Sequence, residues 1–401
     1  MMELNRLDAP ELHRRTLWHL FQEGQATRQS LKDALGCTLL TASKAVTALL
    51  ESGLLVVDGT VSSAMGRRKS VLKLNPRHRL CLCADIGYGS LKVALVRFNG
   101  EIEKKIIIPG LPDPIQSGIP YEELLRVMEA LILEAGCERI LGVGVGISGM
   151  VHFESGRVLF CPNIQGFEDR PLAGELEERF GLPVLLDTSA RCMTMGEYYF
   201  GAGRGVPNQM LLSLGTGSIA AGLLANGRIY RGPEGFAGEI GHTCVRPGVR
   251  RSRCSCGRYD CLELYASLQM LRANIEDSLR RFEGYSVAKR MLGDEPLTLE
   301  CMREFVLSGD PVVEECFQSA LNDVASVLVG AVNLFTPSLV VLGGGFPHFF
   351  PQIVDELQQR VLSACLPPMH TRLRLTGAAL GEDASLRGAA GMLIQNYLMH
   401  N

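Results

Sequence analysis

Apolar residues recur every three or four positions through the first fifty residues, which is the spacing of one face of an α-helix. The pattern predicts helices over residues 11–22, 27–36 and 38–53, with Thr27 and Thr38 as N-caps and glycines at the ends. The apolar faces of the first and third helices consist of Leu12, Leu17, Leu20 and Phe21, and of Ala42, Val46, Leu49 and Leu50. Three short helices with this spacing are typical of a helix-turn-helix module.

After residue 53 the pattern changes to the alternation of β-strands. The segment LLVVDGTVSSAMGRRKSVLKLN contains two such runs, and the Asp58–Gly59 pair predicts the turn of a β-hairpin. Three helices followed by a hairpin predict a winged helix-turn-helix over residues 1–79. The alternative is a small dimerisation or docking domain with a solvated basic turn.

The distribution of charge favours a winged helix-turn-helix over a dimerisation or docking domain. Residues 1–79 hold 12 Lys or Arg and 7 Asp or Glu, whereas the whole chain has a formal net charge of -3. A basic module on an acidic body favours a polyanionic partner for the module alone, and the sequence therefore predicts double-stranded DNA. We expect the start of the third helix to enter the major groove and face bases there. Its candidate DNA-binding residues are Thr38, Leu39, Leu40, Ser43 and Lys44. The wing is expected to contact phosphates or the minor groove through Arg67, Arg68 and Lys69.

From Leu80 onward the chain consists of short apolar strands separated by glycine, which predicts an α/β body. Three glycine-containing turns follow strand-like runs, at DIGYG from Asp85, LGTG from Leu214 and LGGG from Leu342. Glycine lets backbone N–H groups approach an anion closely, so these turns are candidate phosphate or nucleoside contacts. Each is equally compatible with a tight turn in a packed fold.

One segment, from Glu239 to Glu263, places a histidine ahead of three closely set cysteines. The predicted metal ligands are His242, Cys254, Cys256 and Cys261. One imidazole and three thiolates fill a zinc tetrahedron without an open position, so the pattern predicts a structural zinc ion. A metal there would also orient the two flanking carboxylates. The alternative is a core histidine with cysteines that act as small buried hydrophobes.

The composition is that of an ordinary soluble protein, with 401 residues, 46% of them apolar and 21% charged, enough for two or three domains. The N-terminus mixes acidic and basic residues and lacks the apolar core of a secretory signal, and no membrane segment is expected. The 13 cysteines are scattered through apolar stretches, which favours reduced thiols. The expected location is the cytoplasm.

These motifs together resemble the ROK family (repressors, open reading frames and kinases) over nearly the whole chain. The matching stretches are GRRKSVLKLN at the wing, DIG at 85, PNIQGF at 162, LGTG at 214, EIGH with CxCGxxxCLE, and VVLGGG at 340. The resemblance implies a two-lobed actin-like, sugar-kinase-like α/β domain around a sugar cleft, behind the DNA-binding domain, in a homodimer or homotetramer. It places the first lobe at 80–196 and 382–401, and the second, with the zinc loop, at 197–381. The implied sugar-site residues are Gly149, Asn163, Thr188, Ser189, Glu239, His242 and Glu263.

Two departures from the family kinases matter for function. The kinases carry an Asn-Asp pair ahead of a Gly-Glu, and the Asp is the general base; here Thr188 and Ser189 occupy those positions. A serine hydroxyl is far too weakly basic to take a proton at neutral pH, and Asp187 needs a shifted register to replace it. DIGYG also stands where DIGGT is expected, which puts Tyr88 where a phosphate approaches.

The sequence therefore predicts a sugar-responsive transcriptional regulator, a repressor, without kinase activity. Its predicted partners are a palindromic operator and a small-molecule sugar effector. An ATP-dependent sugar kinase of the glucokinase or N-acetylhexosamine kinase type is the alternative. A third possibility is a protein-docking regulator whose surface consists of the arginines Arg246, Arg250, Arg251 and Arg253.

Overall fold

The computed structural model describes residues 10–62, 68–110, 121–162, 164–249, 252–293 and 295–399. Its contacts divide the chain into two compact units. Unit 1 consists of residues 1–200 and 385–401, and unit 2 consists of residues 201–384. The N-terminal module is part of unit 1.

The N-terminal module contains the three predicted helices, α1 (Glu11–Glu23), α2 (Arg28–Leu35) and α3 (Leu39–Glu51). Hydrogen bonds from nearby side chains cap the N-termini of α2 and α3. The Thr27 side chain accepts from the Ser30 N–H while the Ser30 side chain accepts from the Thr27 N–H, which is a capping box. Thr38 caps α3 in the simpler way, by accepting from the backbone N–H of Thr41.

The wing consists of β1 (Leu55–Ser62) and β2 (Arg68–Leu74), which pair antiparallel. The predicted turn at Asp58–Gly59 is wrong. Val57 lies opposite Leu72 and Thr60 opposite Ser70, so two residues of β1 face one residue of β2 in a β-bulge. Gly59 has a φ of 85°, which a bulge needs and which glycine adopts without strain. Residues 63–67 connect the two strands and lie outside the described residues. The predicted DNA contact Arg67 is one of them.

The rest of unit 1 is built on a five-stranded sheet with the order β5-β4-β3-β6-β9. Its strands are β3 (Leu80–Gly87), β4 (Ser90–Arg97), β5 (Ile102–Pro109), β6 (Ile140–Ile147) and β9 (Val184–Thr188); β7 (Met150–His152) and β8 (Arg157–Phe160) form a separate ribbon. The helices are α4 (Tyr121–Ala135), α5 (Leu172–Phe180), α6 (Ser189–Phe200) and α14 (Ala384–Met399). Strand β6 is buried along its whole length, as is usual for a strand covered on both faces.

Unit 2 repeats this topology, with the sheet order β12-β11-β10-β13-β14. Its strands are β10 (Gln209–Leu214), β11 (Ile219–Ala225), β12 (Arg228–Tyr230), β13 (Leu339–Gly343) and β14 (Arg374–Gly377). Its helices are α7 (Glu263–Ala266), α8 (Leu268–Arg281), α9 (Val287–Leu292), α10 (Leu299–Leu307), α11 (Pro311–Phe335), α12 (Gly345–Phe349) and α13 (Ile353–Ala364). In both units three antiparallel strands are followed by two that run parallel to the first. Short 3-10 helices span Cys137–Arg139, Ile240–His242, Pro367–Met369 and Gly381–Asp383.

Helix α11 is 25 residues long and packs one apolar face into the core of unit 2. It begins where Asp310 accepts from the N–H groups of Val312 and Val313, and it ends at Thr336. No single helix in the described part of the chain is both long and apolar enough to cross a bilayer; α2 and α3, bent by 116°, meet that test only as a pair.

Candidate functional site

The four predicted metal ligands come together in unit 2. One ligand atom from each of His242, Cys254, Cys256 and Cys261 lies within 4.8 Å of every other. His242 Nδ1 is 3.5 Å from Cys254 Sγ, and Cys256 Sγ is 3.7 Å from Cys261 Sγ. A zinc tetrahedron with its usual bond lengths separates sulfur from nitrogen by about 3.5 Å and sulfur from sulfur by about 3.8 Å. The donor set therefore fits zinc in both chemistry and spacing.

The surroundings favour the metal-binding protonation state at His242 and Cys256, whereas burial raises the pKa of the Cys254 and Cys261 thiols. Burial lowers the pKa of His242, and nearby Arg258 lowers it further, so the imidazole is neutral. Burial alone raises the pKa of the Cys256 thiol, but hydrogen bonds from the backbone and side chain of Arg258 overcome this effect and lower it. Neutral imidazole and thiolate are the forms that bind zinc.

Two glycines position Glu239 and His242 against strand β11. A Cβ on Gly238 would lie 2.0 Å from the Ala221 carbonyl oxygen, and a Cβ on Gly241 would lie 2.1 Å from the oxygen of Ile219. The close approach allows the Ala221 N–H to donate to the Gly238 carbonyl at 2.7 Å. The EIGH segment is thus fixed to the sheet, and its acid and its histidine are fixed with it.

Glu263, at the start of α7, is also held by β11. Its Oε2 accepts a hydrogen bond of 3.1 Å from the Ile219 N–H. Burial raises the pKa of Glu263 to about 7; the charge of Glu239 adds to the rise, while the Ile219 hydrogen bond opposes it. The two acids of the motif are therefore close enough for the charge of Glu239 to affect Glu263.

The other predicted sugar-site residues lie in unit 1, at the carboxyl ends of adjacent parallel strands. Gly149 follows β6, Thr188 ends β9, and Ser189 begins α6; Ile147 and Thr188 are partners in the sheet register. Asn163 lies outside the described residues. The same edge carries Asp85, whose Oδ1 accepts from the hydroxyls of Ser189 at 2.8 Å and Ser385 at 2.7 Å.

Asp187 lies in a different environment. It is fully buried, and its Oδ1 accepts from Arg191 Nη1 at 3.0 Å and from the Thr188 N–H at 2.9 Å. Arg191 is itself 1% exposed, so the two form a buried ion pair at i,i+4 spacing. A carboxylate in such a pair is not accessible to a ligand.

The glycine turns LGTG and LGGG lie side by side in unit 2. They follow the parallel strands β10 and β13, in which Ser213 is paired with Gly343. A Cβ on Gly344 would lie 2.4 Å from the Leu214 carbonyl oxygen, so the two turns are in direct contact. This close packing explains why position 344 is glycine, whether or not a phosphate binds there.

The predicted DNA-binding residues that the structure describes lie on the surface of the N-terminal module. Thr38, Leu39, Leu40 and Lys44 are exposed on the first turns of α3, and Ser43 is half-buried. Leu40 is 67% exposed although its own helix has an apolar buried face. Arg68 and Lys69 are exposed at the start of β2. Apolar side chains that face solvent beside a basic strand are typical of a binding surface.

Helix α1 of the module packs on the last turn of α6. Phe21 lies 4.8 Å from the Tyr199 ring and 5.8 Å from the Phe200 ring, measured between centroids, and Trp18 meets Tyr199 edge-on. The Tyr199 hydroxyl donates to Gln395 of α14 at 2.7 Å. The sequence analysis missed this contact because no local pattern links residues almost 180 positions apart. It also missed Arg191, although its i,i+4 spacing from Asp187 was a usable signal.

One of the arginines predicted to form a docking surface is not exposed. Arg246 donates to Asp323 at 2.6 Å and to Ser319 at 2.8 Å, and its guanidinium lies 4.3 Å from the centre of the Tyr265 ring. The Arg246 side chain is only 27% exposed, because it reaches from the segment between His242 and Cys254 to the surface of α11. Arg253 is exposed, and Arg250 and Arg251 lie outside the described residues. Arg246 is therefore not part of an exposed arginine surface, and the structure does not test the prediction for Arg250 and Arg251.

Comparisons with known proteins agree with this architecture. A family model described as the ROK family matches residues 81–396. The xylose repressor of Caldicellulosiruptor bescii is 26% identical over 381 residues, covering 93% of this chain and 92% of the repressor. The glucokinase of Thermotoga maritima is 29% identical over 310 residues, covering 77% of this chain and 95% of the glucokinase.

Among solved structures, the fold is similar to that of a ROK family transcriptional regulator described as a homologue of the Escherichia coli MLC protein. The TM-score is 0.78 at 24% identity, covering 96% of this chain and 97% of that one. The match to the repressor covers more of the chain than the family model does, so it extends into the N-terminal module. The match to the glucokinase covers only 77% of this chain, a share that the residues after the N-terminal module are enough to supply.

Proposed function

This chain belongs to the ROK family, and from that membership we propose that it is a sugar-responsive DNA-binding regulator that represses transcription. The observation that carries the proposal is the N-terminal module, whose helix α3 exposes Leu39, Leu40 and Lys44 and whose strand β2 exposes Arg68 and Lys69. A sugar kinase has no need of such a surface. The similarity to a xylose repressor along 93% of the chain supports the same function.

We propose further that the chain lacks kinase activity. Ser189, at the position assigned to the catalytic aspartate, carries a hydroxyl that is too weakly basic to take a proton from a sugar, and this hydroxyl donates to Asp85. Asp187, the only neighbouring carboxylate on the DTSARC segment, is paired with Arg191 in the interior. The similarity to a glucokinase is explained by the shared family domain.

The proposed effector is a monosaccharide, and the xylose repressor relative makes xylose the first to test. Its proposed contacts in unit 2 are Glu239, His242 and Glu263, which β11 fixes in place. Its proposed contacts in unit 1 are Gly149, Thr188 and Ser189, at the carboxyl ends of β6 and β9, together with Asn163, which lies outside the described residues. Carboxylates and small hydroxyl side chains are the groups that recognise sugar hydroxyls by hydrogen bonds.

The proposed cofactor is one structural zinc ion, bound by His242, Cys254, Cys256 and Cys261. With four protein ligands it has no open coordination position, so it contributes stability and shape rather than chemistry. Because His242 is one residue from Gly241 and three from Glu239, the metal also fixes the acid that we assign to the sugar.

Helix α6 offers a mechanical connection between effector and DNA. It begins at Ser189, next to the proposed sugar contacts, and ends at Tyr199 and Phe200, which pack on α1 of the DNA-binding module. A shift of this helix displaces α1. In a homodimer on a palindromic operator, this displacement changes the spacing of the two α3 helices relative to successive major grooves.

The experiment that tests this function combines operator selection with a sugar panel. Sequences selected from a random DNA library are expected to be palindromic, and xylose or another monosaccharide is expected to weaken binding by about 5- to 150-fold, the usual range of allosteric coupling. Glu239→Gln is expected to remove most of this sugar effect and leave operator affinity without sugar unchanged. The measurement is fluorescence anisotropy of labelled operator.

Glu234→Gln, an exposed acid a few residues away in unit 2, is the matched control and should respond like the wild type. A protein that selects no DNA sequence, or that phosphorylates a sugar with ATP, would contradict the proposed function. A Glu239→Gln protein that keeps the full sugar response would remove Glu239 from the binding site and leave the rest intact.

The wing gives a second prediction. Replacing Arg68 and Lys69 together with alanine is expected to weaken binding to all DNA sequences and to flatten the salt dependence by about one unit of log–log slope per lost phosphate contact. The reason is that each phosphate contact releases condensed counterions. Affinity measured from 50 to 300 mM salt checks this, with Arg303→Ala on α10 as the control. An unchanged slope in the double variant would place the wing away from the DNA.

A further inference from the structure

Unit 2 contains a pocket of about 360 Å³ between α8 and the N-terminal half of α11. Leu271, Phe282 and Val312 form an apolar part of its wall, and polar side chains form the rest. None of the proposed sugar and metal contacts that the structure describes lines this pocket. Its volume and mixed lining are those of a site for a small organic molecule.

Arg246 is held in a fixed orientation at one end of the pocket. Its Nε and Nη2 donate to Asp323 at 2.8 and 2.6 Å, and Nη2 also donates to Ser319 at 2.8 Å. The guanidinium lies 4.3 Å from the centre of the buried Tyr265 ring. An arginine has five N–H donors, and the two on Nη1 donate to no residue that the structure describes. These two donors are therefore available to a ligand.

Two serine hydroxyls line the same pocket. Ser319 Oγ accepts from Arg246, and Ser278 Oγ accepts from the Cys316 thiol at 3.4 Å. Each serine keeps its own O–H as a donor, because these bonds use only the oxygen lone pairs. Guanidinium and hydroxyl donors in one place bind the oxygens of a carboxylate or phosphate group. This end of the pocket is therefore suited to an anionic group.

The pocket also offers acceptors. Asn274 donates its side-chain N–H to the Leu264 carbonyl at 3.0 Å, and its Oδ1 is left as an acceptor. Glu315 lines the pocket from an exposed position and pairs with no cation in the described part of the chain. It precedes Ser319 by four residues of α11, which is about 6 Å along the helix axis. An ammonium group fits beside these two acceptors.

The charges that line the pocket are balanced. Arg246 and Arg281 are the cations, and Asp277 and Glu315 are the anions. Arg281 and Asp277 pair with each other at 2.8 Å, so Arg246 at one end and Glu315 nearer the middle remain to meet a ligand. A ligand with one charge of each sign suits this lining better than a simple anion, which the carboxylates would repel.

We propose that the pocket binds a free α-amino acid with an apolar side chain. The carboxylate of the ligand accepts from Arg246 Nη1 and Ser319. Its ammonium group donates to Asn274 Oδ1 and Glu315, and its side chain packs on the apolar wall. Both charged groups of an α-amino acid are attached to one carbon, so a hydrogen bond at each end spans the turn from Ser319 to Glu315. The site is separate from the proposed sugar contacts, and the proposal goes beyond the proposed function.

Protection of Cys316 from alkylation tests this site. The thiol of Cys316 is half-buried in the pocket and contacts Ser278, so a bound ligand covers it. The full chain is treated with iodoacetamide in the presence of each common amino acid. At about ten times its Kd, an amino acid with an apolar side chain is expected to slow labelling about 10-fold, the ratio set by occupancy. Half-buried Cys301 on α10 is the control and should react at an unchanged rate. Mass spectrometry separates the two, because Cys316 is the one cysteine of tryptic peptide 304–360.

The need for both charges is tested with fragments of the ligand. For leucine these are 3-methylbutylamine, which lacks the carboxylate, and 4-methylpentanoate, which lacks the ammonium group. Each is expected to bind about 10- to 100-fold more weakly than the amino acid, because each loses hydrogen bonds to a charged group. For any other amino acid that protects Cys316, the corresponding amine and acid are used.

Two variants assign the ends of the ligand. Glu315→Gln is expected to weaken amino acid binding by the same factor and to leave the affinity for the deaminated acid unchanged. Ser319→Ala is expected to weaken binding of the amino acid and of the acid, but not of the amine. Exposed Glu304→Gln on α10 and Ser363→Ala on α13 are the matched controls and should bind like the wild type.

Labelling of Cys316 that no amino acid slows overturns the proposed site. A deaminated acid that binds as tightly as the amino acid, or a Glu315→Gln protein with full affinity for the amino acid, overturns the assignment of the ligand. Protection of Cys316 in a chain that selects no operator supports this site and contradicts only the proposed function. The two proposals therefore fail separately.

Discussion

Cys256→Ser is expected to abolish metal binding and to cost unit 2 several kcal/mol of stability, since loss of a structural metal is among the few single changes that exceed about 4 kcal/mol. The metal-binding loop depends on its ligands because it has little core of its own. The buried cluster there consists of Cys254, Cys261, Leu264 and Tyr265, two of which are themselves predicted ligands. Cys256 is half-buried, so serine removes a thiolate without creating a core cavity.

Metal content by mass spectrometry and thermal unfolding by calorimetry check this expectation. The wild type should contain about one zinc ion per chain, a stoichiometry that follows from its one closed four-ligand set among the described residues. Cys244→Ser is the matched control, because Cys244 lies in the same segment but outside the cluster. A metal-free wild type whose melting temperature is insensitive to a strong chelator would show that the cluster is not a metal site.

The parts of this fold that were predictable from sequence are those whose causes are local. The caps at Thr27 and Thr38 act over three residues, and both appear where the sequence placed them. The four candidate metal ligands could be selected from sequence because zinc requires particular residue types close together, and the structure brings their ligand atoms within 4.8 Å of one another. Family resemblance supplied the two α/β units.

The error at Asp58–Gly59 has a physical explanation. Asp-Gly favours a hairpin turn because glycine adopts positive φ, but some β-bulges use a glycine in the same conformation, as Gly59 does here. Whether a turn or a bulge forms depends on the register with the partner strand, which here pairs Val57 with Leu72 and Thr60 with Ser70. The register is set by packing across the wing and is not written in the dipeptide.

Other features depend on contacts between distant parts of the chain. Asp85 accepts from Ser189 and from Ser385, and the second of these lies 300 residues away in sequence. The contact between Phe21 and Tyr199 is of the same kind. Such pairs are determined by the assembled sheet and helices, so no motif in the single sequence predicts them.

The buried ion pair of Asp187 and Arg191 gives the second large effect. Arg191→Met is expected to destabilise unit 1 by about 3–5 kcal/mol, because it leaves a fully buried carboxylate without its partner. Replacing both residues, as Asp187→Leu with Arg191→Met, is expected to recover most of that loss, since neither charge of the pair then remains. Urea unfolding of the two variants and of Asp187→Leu alone completes a double-mutant cycle.

The exposed pair of Arg126 and Glu123 on α4 is the control, and Arg126→Met should not change the unfolding midpoint. A single variant as stable as the wild type would mean that Asp187 reaches solvent, where it could act as a catalytic base. The same proteins should therefore be assayed with ATP and a sugar. Destabilisation of Arg191→Met together with no turnover in any variant is the result expected of a carboxylate that serves the core and not catalysis.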